Sequence, residues 1–155
     1  MSSYATVLVG TDGSASSGRA VDRAAEVARD AGATLLLVTA YRPMDARAAR
    51  DASDALGDEA YKISGGAPAE DVLRDAAERA RGLGATAVET LAVEGDPVEA
   101  LLDTATAHAA DLLVVGNRGL NSLAGRLLGS VPASLTHKAS CDVLVVHTTG
   151  RGATP

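Results

Sequence analysis

The chain has 155 residues, a formal net charge of −6 and a pI near 4.9, a length suited to one domain, 1–155, around a single core. The acidic balance argues against a nucleic-acid partner, and with three Tyr, no Trp and no Phe there are few platforms on which bases could stack. The single cysteine, Cys141, excludes an internal disulfide, no apolar run reaches membrane-span length and residues 1–6 lack a secretion signal, so the expectation is a cytoplasmic protein with no membrane partner.

Thr6–Gly10 is a short β-branched apolar run and reads as the first strand, followed by turn chemistry in Thr11-Asp12-Gly13-Ser14. Ser14 and Ser16 are expected caps. Apolar residues then recur at helical spacing from Ala20 to Ala31, and Gly32 is a natural stop. The continuous apolar run 34–40 suits a strand buried on both faces of a parallel sheet. Residues 42–66 are charged and read as a surface connection, with a helix expected around 45–60. Pro68 opens a helix carried by Val72, Leu73, Ala76, Ala77, Ala80 and Leu83 and closed by Gly84. A third strand is expected over 86–93. Asp96, Pro97 and Glu99 then have the order of N-cap, first helical residue and capping-box partner. A fourth strand over 111–115, a helical turn over 122–128, a helix over 130–138 and a last strand over 142–147 complete the series, with residues 148–155 expected to fray.

Strands alternating with helices predict a parallel sheet covered on both faces, with right-handed crossovers. Ligands on such sheets bind beyond the carboxyl ends of the strands, at a switch point. The loops after strand one (Gly10 to Ser14) and strand four (Gly116 onward) are therefore candidates to meet one ligand. The second loop is the more informative. Gly116-Asn117-Arg118-Gly119, nine further residues and then Gly129-Ser130 follow the apolar run 112–115 directly. Glycines there let the backbone approach a ligand, and N–H groups of the loop and the following helix start can cradle phosphate oxygens. The spacing fits neither the Walker A loop nor the dinucleotide fingerprint. No histidine accompanies this cradle and Asp12 is the only carboxylate near it in the chain pattern, so general acid–base chemistry lacks its usual groups. His108, His137 and His147 lack metal-ligand spacing, and Cys141 has no adjacent base.

Val9-Gly10-Thr11-Asp12-Gly13-Ser14 together with Gly116-x2-Gly119-x9-Gly129-Ser130 resembles the universal stress protein family, over about residues 4–147. The resemblance implies a five-stranded parallel sheet in the order 3-2-1-4-5, an adenine nucleotide at the switch between strands one and four, and a homodimer. It places Asp12 near the ribose or a metal–phosphate group, main-chain atoms of Ala40 at the adenine edge, and Gly116 near the ribose. Gly119, Gly129, Ser130 and Val131 would give N–H groups to phosphate, with the Ser130 hydroxyl. Gly10, Thr11, Asn117 and Arg118 complete the candidate set. Asp58-Glu59-Ala60-Tyr61-Lys62 ahead of Gly-Ala-Pro, and Ala124-Gly125-Arg126-Leu127-Leu128, are similar to a bacterial subgroup that binds cyclic AMP and, less tightly, ATP. The implied function is a non-catalytic sensor or sink for cyclic AMP. The alternative is a slow ATPase in which Asp12 holds magnesium. In the implied sheet order the last strand, 142–147, lies at an edge and is expected to pair with its symmetry mate.

Overall fold

The computed structural model describes residues 4–42, 66–117 and 129–148. Five strands, β1 (Thr6–Gly10), β2 (Thr34–Tyr41), β3 (Ala87–Glu94), β4 (Leu112–Gly116) and β5 (Asp142–Val146), form one sheet in the order β3-β2-β1-β4-β5. All four pairings are parallel. Among the described residues four helices connect them: α1 (Ala15–Ala31), α2 (Gly66–Gly82), α3 (Pro97–Ala107) and α4 (Ser130–Lys138). The helix expected around 45–60 and the helical turn over 122–128 lie outside the described residues.

Alternation along the strands sorts the core into two layers. Val7 and Val9, Leu35 and Leu37, and Leu112 and Val114 face α1 and α2. Leu8, Leu36, Val38, Leu113 and Val115 face α3 and α4. Both layers are built from Ala, Val and Leu. Small residues of both helices, Ala20, Ala24, Ala25 and Ala28 of α1 and Ala76, Ala77 and Ala80 of α2, belong to the first layer. Arg79 of α2 grips the Asp22 carboxylate of α1 with two nitrogens, and Gly18 leaves room for the guanidinium, 3.4 Å from where a Cβ would stand.

Helix ends follow the local chemistry. Gly32 closes α1 at φ +66, with its N–H and that of Ala33 both directed to the last turn. Asp96 caps α3, its Oδ2 accepting from Val98 N–H (3.1 Å) and Glu99 N–H (3.3 Å), with Pro97 as the first helical residue. Pro68 is the third residue of α2, because the helix begins at Gly66. At the amino edge of the sheet, Asp111 accepts N–H bonds from Ala5 (2.9 Å) and Thr6 (3.0 Å). Burial pushes its carboxyl upward, yet these N–H donors hold it below the usual carboxylate range.

Thr148 departs from the expectation of a frayed tail. It is 4 % exposed, its N–H and hydroxyl both donate to Asn117 Oδ1 (2.8 and 2.9 Å), and its carbonyl accepts from Arg19 Nη1 (2.9 Å). These partners stand far away in sequence, so no local pattern announces them. Residues 149–155 lie outside the described residues.

Candidate functional site

β1 and β4 are neighbours, with Val9 beside Val114, so the loops that follow them leave the sheet at one level. The chain goes on to α1 on one face after β1 and to α4 on the other after β4, which opens a crevice between the two loops at the carboxyl edge.

The β1 loop is a closed unit. Thr11 is 2 % exposed. Its N–H donates to Val38 O, its carbonyl accepts from Thr39 Oγ1, and its hydroxyl meets Ser17 Oγ at 2.9 Å. Thr11 therefore ties the loop to β2 and to α1. Asp12 Oδ1 accepts from Ser14 N–H (2.9 Å) and from Ser17 Oγ (2.9 Å), an Asx turn locked by a buried serine. Its Oδ2 has no partner among the described residues. Ser14 is the N-cap of α1, accepting from Ser17 N–H at 3.1 Å. Ser16, the other cap candidate, turns instead to Thr148, with Oγ and Oγ1 2.6 Å apart. A side chain at Gly10 would lie 3.0 Å from both methyls of Leu101, so Leu101 of α3 fills the space that this glycine leaves.

Beyond the β4 end the arrangement is the reverse. Gly116 is buried, and a Cβ there would meet Thr148 Cγ2 at 3.2 Å. Asn117 N–H donates to Val146 O (2.8 Å), and Asn117 O accepts from Gly129 N–H (2.9 Å). The chain thus leaves at Asn117 and returns at Gly129 with its two ends fastened together, and the Gly129 N–H is engaged inside the protein. Arg118 and Gly119 lie outside the described residues. Gly129 is the N-cap of α4 at φ −61, without a side-chain cap, and no acidic residue occupies the first turn. Pro132 has no N–H, and Ala133 N–H is satisfied by Gly129 O at 3.1 Å. Two donors remain at this helix start, the N–H groups of Ser130 and Val131, which have no protein partner among the described residues. The exposed Ser130 hydroxyl stands beside them. An uncapped helix start with aligned N–H groups favours an anion.

Ala40 supplies the third element. Val38 O accepts from Thr11 N–H, so the peptide groups of Val38 face β1. Two residues on, those of Ala40 face the same side. Gly10 is level with Val38, so Ala40 stands about 7 Å beyond the end of β1. Its N–H and C=O are directed to the β1 side, beyond the end of that strand.

A cavity of about 650 Å³ opens elsewhere, between α1 and α2, with Thr11, Ser14, Gly18, Asp71 and Asp75 in its wall. Arg79, held by Asp22, also stands in its wall, and the cavity lies on the face away from α4. Among the described residues no three carboxylate, histidine or cysteine side chains converge as a metal site, and none of the helices is long and apolar enough to cross a membrane. Burial, with Asp142 and Asp111 nearby, pushes the Cys141 thiol up, away from the reactive thiolate.

Comparison with known proteins agrees with this architecture. The model of the universal stress protein family matches residues 3–147. Universal stress protein Rv1636 of Mycobacterium tuberculosis is 56% identical over 151 residues, covering 96% of this chain and 100% of the relative. A crystal structure of a universal stress protein in complex with cyclic AMP superimposes with a TM-score of 0.73 at 46% identity, covering 96% of this chain and 100% of that one. The universal stress protein of Archaeoglobus fulgidus in complex with dAMP gives a TM-score of 0.66 at 25% identity, covering 92% and 97%. The chain belongs to the universal stress protein family.

Proposed function

We propose that this protein binds an adenine nucleotide in the crevice between the β1 and β4 loops, prefers cyclic AMP while also taking ATP, and acts as a non-catalytic sensor or sink. The observation that carries this reading is the open start of α4. Two N–H donors and one hydroxyl suit the two non-bridging oxygens of a singly charged cyclic phosphate, which needs no cation to neutralise it. Ala40 would meet the adenine edge, and Gly116 and Asn117 would form the floor under the sugar. The cyclic AMP and dAMP complexes of the relatives support the ligand class.

A second reading, a slow magnesium-dependent ATPase, is favoured by Asp12 Oδ2. Magnesium binds through one or two carboxylates plus phosphate oxygens, and this oxygen fits such a role while Oδ1 keeps the turn. In either case the protein would work as a two-fold dimer. The edge strand β5 offers Val143, Leu144 and Val145, each half-buried, to its symmetry mate over residues 142–147.

Calorimetric titration of nucleotide-free protein with cyclic AMP, and separately with ATP and magnesium, tests the reading. Tighter binding of cyclic AMP that is indifferent to magnesium is the expected result. Tighter, magnesium-dependent ATP binding would select the second reading, and no heat from either would overturn both.

A further inference from the structure

We infer that Ser16, Thr148 and Asn117 form a directed hydroxyl relay that positions the phosphate seat, so that the residue just after β5 tunes nucleotide affinity without touching the nucleotide. The inference rests on the nucleotide reading above and adds residues to it.

The direction of the relay follows from donor counting. Asn117 Oδ1 faces two donors, the N–H and the hydroxyl of Thr148, at 2.8 and 2.9 Å. An amide turned the other way would set its NH₂ against the Thr148 N–H, so the carbonyl orientation is fixed. The single hydroxyl proton of Thr148 is thereby committed to Asn117. The 2.6 Å contact between Ser16 Oγ and Thr148 Oγ1 then has Ser16 as donor. The order is Ser16 O–H to Thr148 O–H to Asn117 Oδ1, and hydrogen bonds in such a chain polarise one another. Burial of Thr148, 4 % exposed, shields them from water.

The relay joins three elements. Ser16 belongs to the first turn of α1, Thr148 follows β5, and Asn117 follows β4. Arg19 Nη1 holds the Thr148 carbonyl at 2.9 Å, and the Thr148 methyl fills the place of a Gly116 side chain. At its far end Asn117 O accepts from Gly129 N–H, and Gly129 is the N-cap that sets the direction of the Ser130 and Val131 donors. A shift of Asn117 therefore reaches the two N–H groups through one main-chain bond.

Thr148→Val keeps the shape and the packing on Gly116 but breaks the relay at its centre, whereas Thr148→Ser keeps the hydroxyl. Calorimetric titration with cyclic AMP and with adenosine, which has no phosphate, separates the seat from the base pocket. The expected result is an affinity for cyclic AMP about tenfold weaker in Thr148→Val, unchanged affinity for adenosine, and recovery in Thr148→Ser. Ser16→Ala, which removes only the first donor, should weaken cyclic AMP in the same selective way, and carries the test if Thr148→Val does not fold. Equal loss for cyclic AMP and adenosine, or no loss in a folded variant, would overturn the relay while leaving the nucleotide reading intact. Failure of the unaltered protein to bind either compound would overturn the nucleotide reading and the relay with it.

Discussion

The starts of α1 and α4 stand on the two sides of one crevice and are built to opposite rules. At α1 a carboxylate, two serine hydroxyls and a threonine satisfy one another, with Asp12 Oδ1 taking Ser14 N–H and Ser17 Oγ while Ser14 takes Ser17 N–H. At α4 the cap is a glycine, the third position is a proline, and two N–H groups are left over. A helix that caps itself is stable and has no use for an anion. One that starts on glycine forgoes roughly a few tenths of a kcal/mol of capping relative to serine or aspartate and leaves its first N–H groups open. The lesson is that an anion seat is recognised less by the presence of donors, which every helix start has, than by the absence of a side chain to satisfy them.

The comparison can be broken at its open side. Gly129 has φ −61, a backbone that any residue adopts, so Gly129→Asp would give α4 the carboxylate cap that α3 has. Titration should show nucleotide affinity falling on the order of a hundredfold, while thermal unfolding shows a gain of about 1 kcal/mol. A variant that binds nucleotide as before would sink the seat. The two glycines that end β1 and β4 sharpen the contrast next. Gly10→Ala brings a Cβ to 3.0 Å from both Leu101 methyls and should destabilise by about 2 kcal/mol in denaturant unfolding. Gly116→Ala meets Thr148 Cγ2 at 3.2 Å and should cost about half as much; a larger loss at Gly116 than at Gly10 would contradict the packing described.

Asp12→Asn preserves the Oδ1 acceptor and removes the charge. It should leave cyclic AMP binding unchanged and weaken magnesium–ATP by about tenfold, a difference that calorimetry with and without magnesium would resolve. The smallest effect belongs to the closed side. Ser14→Ala should lower stability by about 1 kcal/mol with nucleotide affinity unaltered, and a parallel loss of affinity would mean that the two starts are not independent.

Much of the fold is legible in the chain because each strand is buried by its own neighbours. The runs 6–10, 34–40 and 112–115 are continuous precursors of strands covered on both faces, and Asp96-Pro97 marks a helix start within three residues. The sheet order came from likeness to a family, since periodicity says which segments are strands and not which ones touch. At the candidate site, local chemistry singled out the glycine loop and Gly129-Ser130 as candidates. It could not show that Gly129 N–H is taken by Asn117, that Gly10 is small for Leu101, or that Ser16 serves Thr148 rather than its own helix. Those facts depend on contacts between residues up to 132 apart in sequence, where spacing carries no signal.

The aliphatic character of both core layers has a practical side. With no Trp, no Phe and three Tyr, the polypeptide itself absorbs little in the near ultraviolet and has no indole fluorescence. A single purine retained through purification would dominate the absorption spectrum and move its maximum to shorter wavelength. The protein is therefore its own low-background cuvette, in which occupancy can be read from the spectrum of a freshly isolated sample before any ligand is added.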